Sequence, residues 1–286
     1  MQGVSIVMPA FQAKGTIASA VASVLKQHHP HWELLLVSDD KIDYELVLGR
    51  ANLSHKGIQF LSTGVTGSGA AIARNVGLDA ARFEYVATLD ADDMMHPKKL
   101  ELAVAQLPNY PLVSCALQLL THEHKPLRTI GLGGNRILNC QNYKFINFSG
   151  DCTIVYDRGV ADPRFDPTLF CVNDFDFLLK LFSNIQQSFH FGQVLHAYVK
   201  QPVSITKGPG ASQKIIQTKQ RLLERLASGY YSFADPQSAR YFEHFLVRSL
   251  AAEVAYEKAL RVNPNAIFED YIEQAICPST DLTSAR

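Results

Sequence analysis

Residues 4–40 read VSIVMPAFQAKGTIASAVASVLKQHHPHWELLLVSDD, and this stretch of the chain predicts the fold. Val4 to Met8 and Glu33 to Val37 are short apolar runs of the kind that form buried strands. Between them, Thr16 to Lys26 has apolar residues at helical spacing, which predicts an amphipathic helix. A strand, a helix and a second strand in this order indicate a parallel βαβ unit. Ligands of such sheets bind beyond the carboxyl ends of the strands.

The alternation of strands and helices continues to about residue 107. Elements predicted there are a strand at Ile58 to Leu61, a helix at Gly69 to Ala81, a strand at Tyr85 to Leu89 and a helix at Lys98 to Leu107. This order predicts the α/β class, with a mostly parallel, Rossmann-like central sheet and helices on both of its faces. Later elements are predicted as strands at Leu112 to Leu120, Pro126 to Gly131 and Val194 to Lys200, and as helices at Asp174 to Phe182, Ser212 to Ala227, Ser238 to Arg261 and Ile267 to Ile276.

The composition of the chain argues against several classes of protein. The 286 residues carry 27 basic and 27 acidic side chains, so no overall positive charge attracts nucleic acid. Five widely spaced cysteines form no C-x-x-C pair, which argues against a disulfide framework and for a reducing compartment. No apolar run reaches the roughly 18 residues of a membrane span. We therefore expect a cytoplasmic protein whose contact with a membrane is at most peripheral.

Two acidic clusters follow strands of the predicted sheet. Asp39 and Asp40 follow the run ELLLVS, and Asp90, Asp92 and Asp93 follow the run YVATL. Three carboxylates within four positions repel one another unless a cation joins them. Oxygen ligands without nitrogen or sulfur partners suit Mg²⁺ or Mn²⁺, which usually also hold substrate phosphates. The alternative is a solvated acidic turn that precedes a helix.

Several blocks of the sequence, taken together, resemble one enzyme family. They are residues 4–40, GSGAAIARNVGLDAA at 67–81, YVATLDADDMMHPKKL at 85–100, FDPTLFCVNDFDFLLKL at 165–181 and, more loosely, YVKQPVSIT at 198–206. In this order and spacing they are similar to family 2 glycosyltransferases with the GT-A fold. The resemblance implies a GT-A domain over 1–206, with a nucleotide-sugar-binding half at 1–110 and an acceptor-side half at 111–206. A flexible loop and a C-terminal helical region are expected over 207–286.

The resemblance also implies where a nucleotide-sugar donor binds. Asp39 matches the acid that holds the uracil or the ribose, and Arg74 matches a residue that contacts the base or the phosphates. Lys207 to Ser212 is expected to be a mobile flap over the donor phosphates, or else a plain linker. The residues expected to contact the donor are Pro9, Ala10, Phe11, Asp39, Arg74, Asp90, Ala91, Lys200 and Lys207.

By the same resemblance, Asp92 is the direct ligand of Mn²⁺ or Mg²⁺, and Asp90 lies near the ribose or in the water shell of the metal. Asp174 matches the general base of inverting members, and capping of its helix is the alternative role. Asp176 is expected to support Asp174 indirectly or to face solvent. Asn173 stands where the family usually has the glutamate of a Glu-Asp pair, so the role of that first acid is changed. A cation can offset the charge that a departing nucleoside diphosphate gains, and a carboxylate opposite it can take the proton of an acceptor hydroxyl.

These observations predict an inverting, metal-dependent glycosyltransferase that moves one sugar from a nucleotide sugar, with UDP-sugar as the first choice, to a hydroxyl acceptor. By the resemblance alone, the acceptor is expected to be a carbohydrate or a lipid-linked glycan of cell-surface polysaccharide synthesis. The Q-x-x-R-W signature of processive synthases is absent, which favours a single transfer. Two alternatives stay open. One is a catalytically silent homologue, which Asn173 keeps possible. The other is a sugar-1-phosphate nucleotidyltransferase. Such an enzyme needs a basic, glycine-rich loop near its N-terminus, and residues 9–15 do not form one.

The apolar face of the longest C-terminal helix has more than one interpretation. It comprises Phe242, Phe245, Leu246 and Leu250. These side chains can pack on the catalytic domain, form the seam of a homodimer or touch a membrane surface. The opposite face of this helix mixes charges, whereas a membrane-surface helix is usually rich in lysine and arginine. The pattern therefore favours packing or dimerisation.

Overall fold

The computed structural model describes residues 2–149, 153–202 and 210–277, and it confirms the predicted α/β class. Strand β1 (Val4–Ala10), helix α1 (Ile17–Leu25) and strand β2 (Trp32–Ser38) form the predicted βαβ unit. The two strands are parallel, and their register places Ala10 beside Ser38. Their carboxyl ends therefore lie at the same edge of the sheet.

The remaining strands extend this unit into one mixed sheet. They are β3 (Ile58–Ser62), β4 (Tyr85–Thr88), β5 (Met94–Met95), β6 (Leu112–Thr121), β7 (Pro126–Ile130), β8 (Arg136–Leu138), β9 (Val155–Asp157) and β10 (Ser188–Lys200). Neighbouring strands run in the order β3-β2-β1-β4-β9-β6-β10-β5, with β7 beside β6 and β8 beside β10. Pairing is parallel among β3, β2, β1 and β4 and between β6 and β10.

Some helices pack on the sheet, and the last three follow its final strand in the sequence. They are α2 (Tyr44–Arg50), α3 (Ala70–Ala80), α4 (Lys99–Gln106), α5 (Tyr143–Ile146), α6 (Asn173–Phe182), α7 (Ala211–Ala227), α8 (Gln237–Leu260) and α9 (Phe268–Ile276). Helix α3 packs so closely on β1 that a Cβ atom on Gly77 would stand only 2.6 Å from Cγ1 of Val7. A glycine is therefore required at this position, and the close approach brings Arg74 of α3 to the edge of the sheet.

Five short elements were not predicted from the sequence: α2, β5, β8, α5 and β9. Strand β9 has the largest effect on topology, since it lies between β4 and β6 and is antiparallel to both. It has three residues, and a run of that length has no periodicity that separates a strand from a loop. The parallel arrangement of the first half of the sheet is therefore interrupted at this point.

The C-terminal helices share a hydrophobic core with β6, β7 and α6. Phe242 and Phe245 of α8 lie against Phe175 of α6, with ring centroids 6.0 and 5.7 Å apart. Phe242 is fully buried and Leu246 nearly so. The predicted apolar face of α8 thus packs on the helix that carries Asp174. Among the residues that the structure describes, none of the helices combines the length and the apolar content that crossing a bilayer requires.

Candidate active site

The carboxyl ends of β1, β2 and β4 meet at one edge of the sheet, where the sequence predicts the donor site. Strand β4 pairs in parallel with β1, and Asp39 N donates to Ala10 O at 2.9 Å just beyond β2. The predicted base-binding run Pro9 to Phe11 therefore lies beside Asp39. The side chain of Phe11 is exposed at this edge, while Ala10 is buried.

Asp39 is a buried carboxylate, and both of its oxygens accept hydrogen bonds from other residues of the chain. Its Oδ1 accepts from Thr63 Oγ1 at 2.8 Å, from Ser68 N at 3.0 Å and from Ser68 Oγ, and its Oδ2 accepts from Gly69 N at 2.8 Å. Burial alone raises the pKa of this carboxyl, but the bonds from Ser68, Gly69 and Thr63 outweigh it and the pKa lies below its ordinary value. Asp39 is thus held ionised, and the N–H groups of the loop before α3 point at this side chain.

The acidic turn Asp90 to Asp93 follows β4 and closes with a bond from Asp93 N to Asp90 O at 3.1 Å. Asp92 is half-buried within it. Burial, followed by the negative charge of Asp90, raises the pKa of Asp92 to about 6, and a hydrogen bond from the Gln201 side chain offsets only part of this effect. The carboxylates of the turn therefore repel one another, and a bound positive charge would stabilise their ionised forms.

Arg74 connects this turn to the amino end of α6. Its Nη2 forms an ion pair with Asp90 Oδ1 at 2.7 Å, and its Nη1 donates to Asn173 Oδ1 at 3.3 Å. The guanidinium carbon lies 5.2 Å from the centroid of the Phe165 ring. The Arg74 side chain is almost buried. The sequence-based expectation that it contacts the base or the phosphates of a donor stays a prediction.

Helix α6 begins at Asn173, with Asp174 as its second residue. The residue before it, Val172, has left-handed backbone angles with φ at 56°. Such angles are strained for a β-branched residue and occur where surrounding structure imposes them, often at functional sites. Asp174 is partly exposed, and its Oδ1 accepts from Phe175 N at 3.0 Å. It does not occupy the capping position, so the alternative role as an N-cap is wrong.

The expectation that Asp176 faces solvent is also wrong. This carboxylate is fully buried and is held by Arg225 Nη1 at 2.7 Å, Tyr231 Oη at 2.6 Å and Lys180 Nζ at 2.6 Å. Arg225 belongs to α7 and Tyr231 follows it. Asp176 therefore ties the helix that bears Asp174 to the C-terminal region, a contact across 49 residues that local periodicity could not indicate.

Lys200 lies at the end of β10, where its ammonium group is already paired. Its Nζ donates to Glu269 Oε1 of α9 at 2.6 Å and lies 4.6 Å from the centroid of the Tyr198 ring. Glu269 is buried, and the sequence offered no signal for this partner. Lys207, the other lysine predicted at the diphosphate, lies outside the described residues. Of the predicted flap Lys207 to Ser212, the described Ala211 and Ser212 are the first two residues of α7.

The residues at the acidic turn suit a hard divalent cation. They offer carboxylate oxygens, and the raised pKa of Asp92 indicates that added positive charge would be stabilised there. Within the described ranges, no three or more histidine, cysteine, aspartate or glutamate side chains form a group that could hold a metal. Mg²⁺ and Mn²⁺ sites of nucleotide enzymes commonly use one or two carboxylates and complete the shell with substrate phosphates and water. Asp92 and Asp90 fit that pattern.

Comparison with known proteins gives matches to the first half of the chain. Residues 5–156, just over half of the chain, match the family described as Glycosyl transferase family 2. WfgD of Escherichia coli, a UDP-Glc:α-D-GlcNAc-diphosphoundecaprenol β-1,3-glucosyltransferase, is 37% identical over 110 residues, which are 36% of this chain and 40% of WfgD. The putative teichuronic acid biosynthesis glycosyltransferase TuaG of Bacillus subtilis is 39% identical over 106 residues, which are 34% of this chain and 39% of TuaG. The chain thus spans about two fifths of the length of these relatives.

Solved structures with the same fold cover almost all of this chain. S. aureus TarS 1–349 in complex with UDP superposes with a TM-score of 0.66 at 15% identity, over 96% of this chain and 80% of TarS. The same fragment in complex with UDP-GlcNAc gives a TM-score of 0.67 at 14% identity, over 96% and 81% of the two chains. At this identity the likeness establishes a common fold, C-terminal helices included.

Proposed function

Because the chain belongs to glycosyltransferase family 2, we propose that it transfers a single sugar from a nucleotide-sugar donor to a hydroxyl acceptor, with inversion at the transferred carbon. The observation that carries this proposal is the bridge made by Arg74. One guanidinium group bonds Asp90 of the acidic turn and Asn173 beside Asp174. This double contact would keep a carboxylate for the acceptor and a turn for the donor diphosphate at fixed positions relative to each other, as a displacement requires.

The proposed donor is a UDP-sugar. In support, the printed name of WfgD gives UDP-Glc as its donor, and the similar fold of TarS has been solved with UDP-GlcNAc. In this chain the donor base would lie along Pro9 to Phe11 beside Asp39. Its diphosphate would lie at the acidic turn, near Lys200 and the predicted donor residue Lys207.

Asp92 would hold Mn²⁺ or Mg²⁺, with Asp90 beside it. When bound, such a cation offsets the negative charge that develops on the leaving diphosphate. Arg74 keeps Asp90 in place and adds positive charge to the same side. Asp174 would take the proton of the acceptor hydroxyl as that oxygen attacks the sugar carbon. Its partial exposure at the start of α6 leaves the carboxylate open to an acceptor.

The proposed acceptor is a carbohydrate or a lipid-linked glycan of the cell surface. The printed names of WfgD, TuaG and the poly(ribitol-phosphate) β-N-acetylglucosaminyltransferase TarP of Staphylococcus aureus support this setting. TarP is 32% identical over 104 residues, which are 35% of this chain. We place the reaction in the cytoplasm, since the five widely spaced cysteines form no C-x-x-C pair, a pattern that favours a reducing compartment.

A thermal-shift panel of nucleotides and nucleotide sugars, with and without Mn²⁺, tests the donor half of the proposal. A ligand that binds only the folded state raises the apparent stability. We expect UDP and one UDP-sugar to raise the melting temperature when Mn²⁺ is present, and slow hydrolysis of that sugar to follow. Stabilisation by nucleoside triphosphates in place of UDP would favour a nucleotidyltransferase. Binding without any hydrolysis or transfer would favour a silent homologue.

A further inference from the structure

Behind the acidic turn lies a buried chain of three polar side chains that the reaction does not use. Lys99 Nζ lies 3.0 Å from His196 Nδ1, and His196 Nε2 lies 3.0 Å from Asp93 Oδ2. The three residues come from α4, β10 and the acidic turn, and each is at most 2% exposed. The second carboxylate oxygen of Asp93 accepts from Val199 N at 2.9 Å.

The polarity of this chain follows from its chemistry. With Lys99 charged and Asp93 ionised, the ammonium group donates to His196 Nδ1, and Nε2–H of the imidazole donates to Asp93. Burial, and next the charge of Lys99, lower the pKa of His196, so the imidazole stays neutral. The arrangement is then a chain of hydrogen bonds from lysine through imidazole to carboxylate.

Stability alone does not explain such a network. Replacement of buried ionic groups by apolar side chains of similar volume is often neutral or stabilising. The place of the network in the fold suggests another role. Asp93 is the residue after Asp92, and Val199 precedes Lys200 on β10. The carboxylate of Asp93 thus joins the acidic turn to the end of the strand that carries Lys200.

Among the described residues, a few other bonds fix the turn to this strand, and one of them runs from the Gln201 side chain, just beyond β10, to Asp92. Strand β5, which follows the turn, pairs with β10 through two residues, Met94 and Met95. One further backbone bond runs from His96 N to Leu195 O at 3.0 Å. The side-chain bonds of Asp93 to His196 and to the Val199 backbone are therefore a large share of what holds the turn in register with β10.

We propose that His196 and Lys99 are positioning residues, which act through Asp93 to hold the Asp90–Asp92 turn and the end of β10 in one fixed arrangement for the donor diphosphate and its cation. This inference rests on the proposed function. It requires that the affinities for the cation and for the nucleotide depend on the imidazole of His196, although this side chain contacts neither ligand. A role of His196 in core packing alone would not require this.

A matched histidine on the same strand allows a direct test. His190 is also fully buried on β10, with Nδ1 2.9 Å from Ser114 Oγ and Nε2 2.7 Å from Gly131 O, but its partners lie outside the acidic turn. The affinity for UDP in the presence of Mn²⁺ is measured by calorimetry for the wild type, His196→Leu, His196→Gln and His190→Leu. Unfolding is measured for each protein in the absence of both ligands.

We expect His196→Leu to weaken Mn²⁺-dependent UDP binding by about 10–100-fold, the range seen when a group that orients metal ligands is replaced. His196→Gln, whose amide can still donate to Asp93, should recover part of the affinity. His190→Leu should lower stability but keep the affinity. Lys99→Met, which leaves the bond between His196 and Asp93 possible, should weaken binding by a smaller factor and serves if His196→Leu does not fold.

Two results overturn the inference by itself: unchanged affinity in His196→Leu, or an equal loss in His190→Leu. In the second case the effect would come from general loosening of β10. If His196→Leu is unfolded, unchanged affinity in Lys99→Met overturns it in the same way. Absence of UDP binding by the wild type, with Mn²⁺ present, is a different failure. It overturns the proposed function, and this inference falls with it.

Discussion

Arg74 and Asp90 form an ion pair, with 2.7 Å between Nη2 and Oδ1, although they come from different elements of the fold. The same guanidinium donates to Asn173, 99 residues further along the chain. Because a guanidinium presents several donors in a fixed plane, it can satisfy both partners at once. The acidic turn and the start of α6 are therefore coupled by one side chain.

Arg74→Lys should lower turnover by about 10–100-fold, because an ammonium group cannot bond both partners and small displacements of reacting groups are costly. Donor hydrolysis or transfer, measured under saturating UDP-sugar and Mn²⁺, gives the readout. Arg82→Lys is the control, since the Arg82 side chain is 67% exposed and its partner Glu33 lies away from the site. Equal turnover in both variants would show that the double contact of Arg74 with Asp90 and Asn173 does not matter for the reaction.

Asp92→Asn should stabilise the metal-free protein at pH 7 and abolish Mn²⁺-dependent UDP binding. The folded protein holds the pKa of Asp92 at about 6, above the ordinary value of 3.8, so ionising it in the folded state costs stability. This cost is absent below about pH 4, grows as the pH rises towards 6 and is constant above it, with an upper bound of about 3 kcal/mol.

Urea unfolding of both proteins in EDTA, at pH 4.5 and at pH 7, checks the stability effect. The variant should be the more stable protein at pH 7, and at pH 4.5 the difference should shrink to about a third of that value, because most folded molecules then carry a protonated Asp92. Calorimetry with UDP and Mn²⁺ checks the binding effect. Retained metal-dependent affinity in the variant would exclude Asp92 as the ligand.

Asp174→Asn should lose transfer but keep UDP binding, because a general base acts on the acceptor proton and contributes about 10²–10⁴-fold. Turnover and UDP affinity are measured side by side. Asp79→Asn is a suitable control, since this exposed carboxylate of α3 lies outside the site. Near-normal turnover in Asp174→Asn would require another base.

Asp176→Ala should destabilise the protein by about 1–3 kcal/mol, because it removes the buried acceptor of Arg225 Nη1 and Tyr231 Oη, while Arg225 keeps its ion pair with Asp166. Glu257→Gln removes an exposed pair with Arg261 within α8 and should cost at most about 0.5 kcal/mol. Chemical denaturation of the two variants gives the comparison. A loss below about 1 kcal/mol for Asp176→Ala would mean that α7 is not anchored through this carboxylate.

Local pattern was enough to place Asp39, Asp90 and Asp92 at one edge of the sheet. The apolar runs of β1, β2 and β4 and the helical spacing of α1 and α3 predicted parallel strands, and parallel strands end at a common edge. Asp39, Asp90 and Asp92 follow those strands directly, so their neighbourhood could be deduced from the order of elements alone. The helix that bears Asp174 was predicted within one residue of its observed start.

Only the tertiary structure decided the contacts between residues that lie far apart in the chain. No periodicity links Arg74 to Asn173, Asp176 to Arg225 or Asp93 to His196, because hydrogen-bond partners across a fold are set by how whole elements pack. The three residues of β9 carry too little pattern to reveal a strand, yet they separate β4 from β6. The sequence alone therefore determined which acids stand at the sheet edge, and packing determined which of them are ionised, buried or joined to one another.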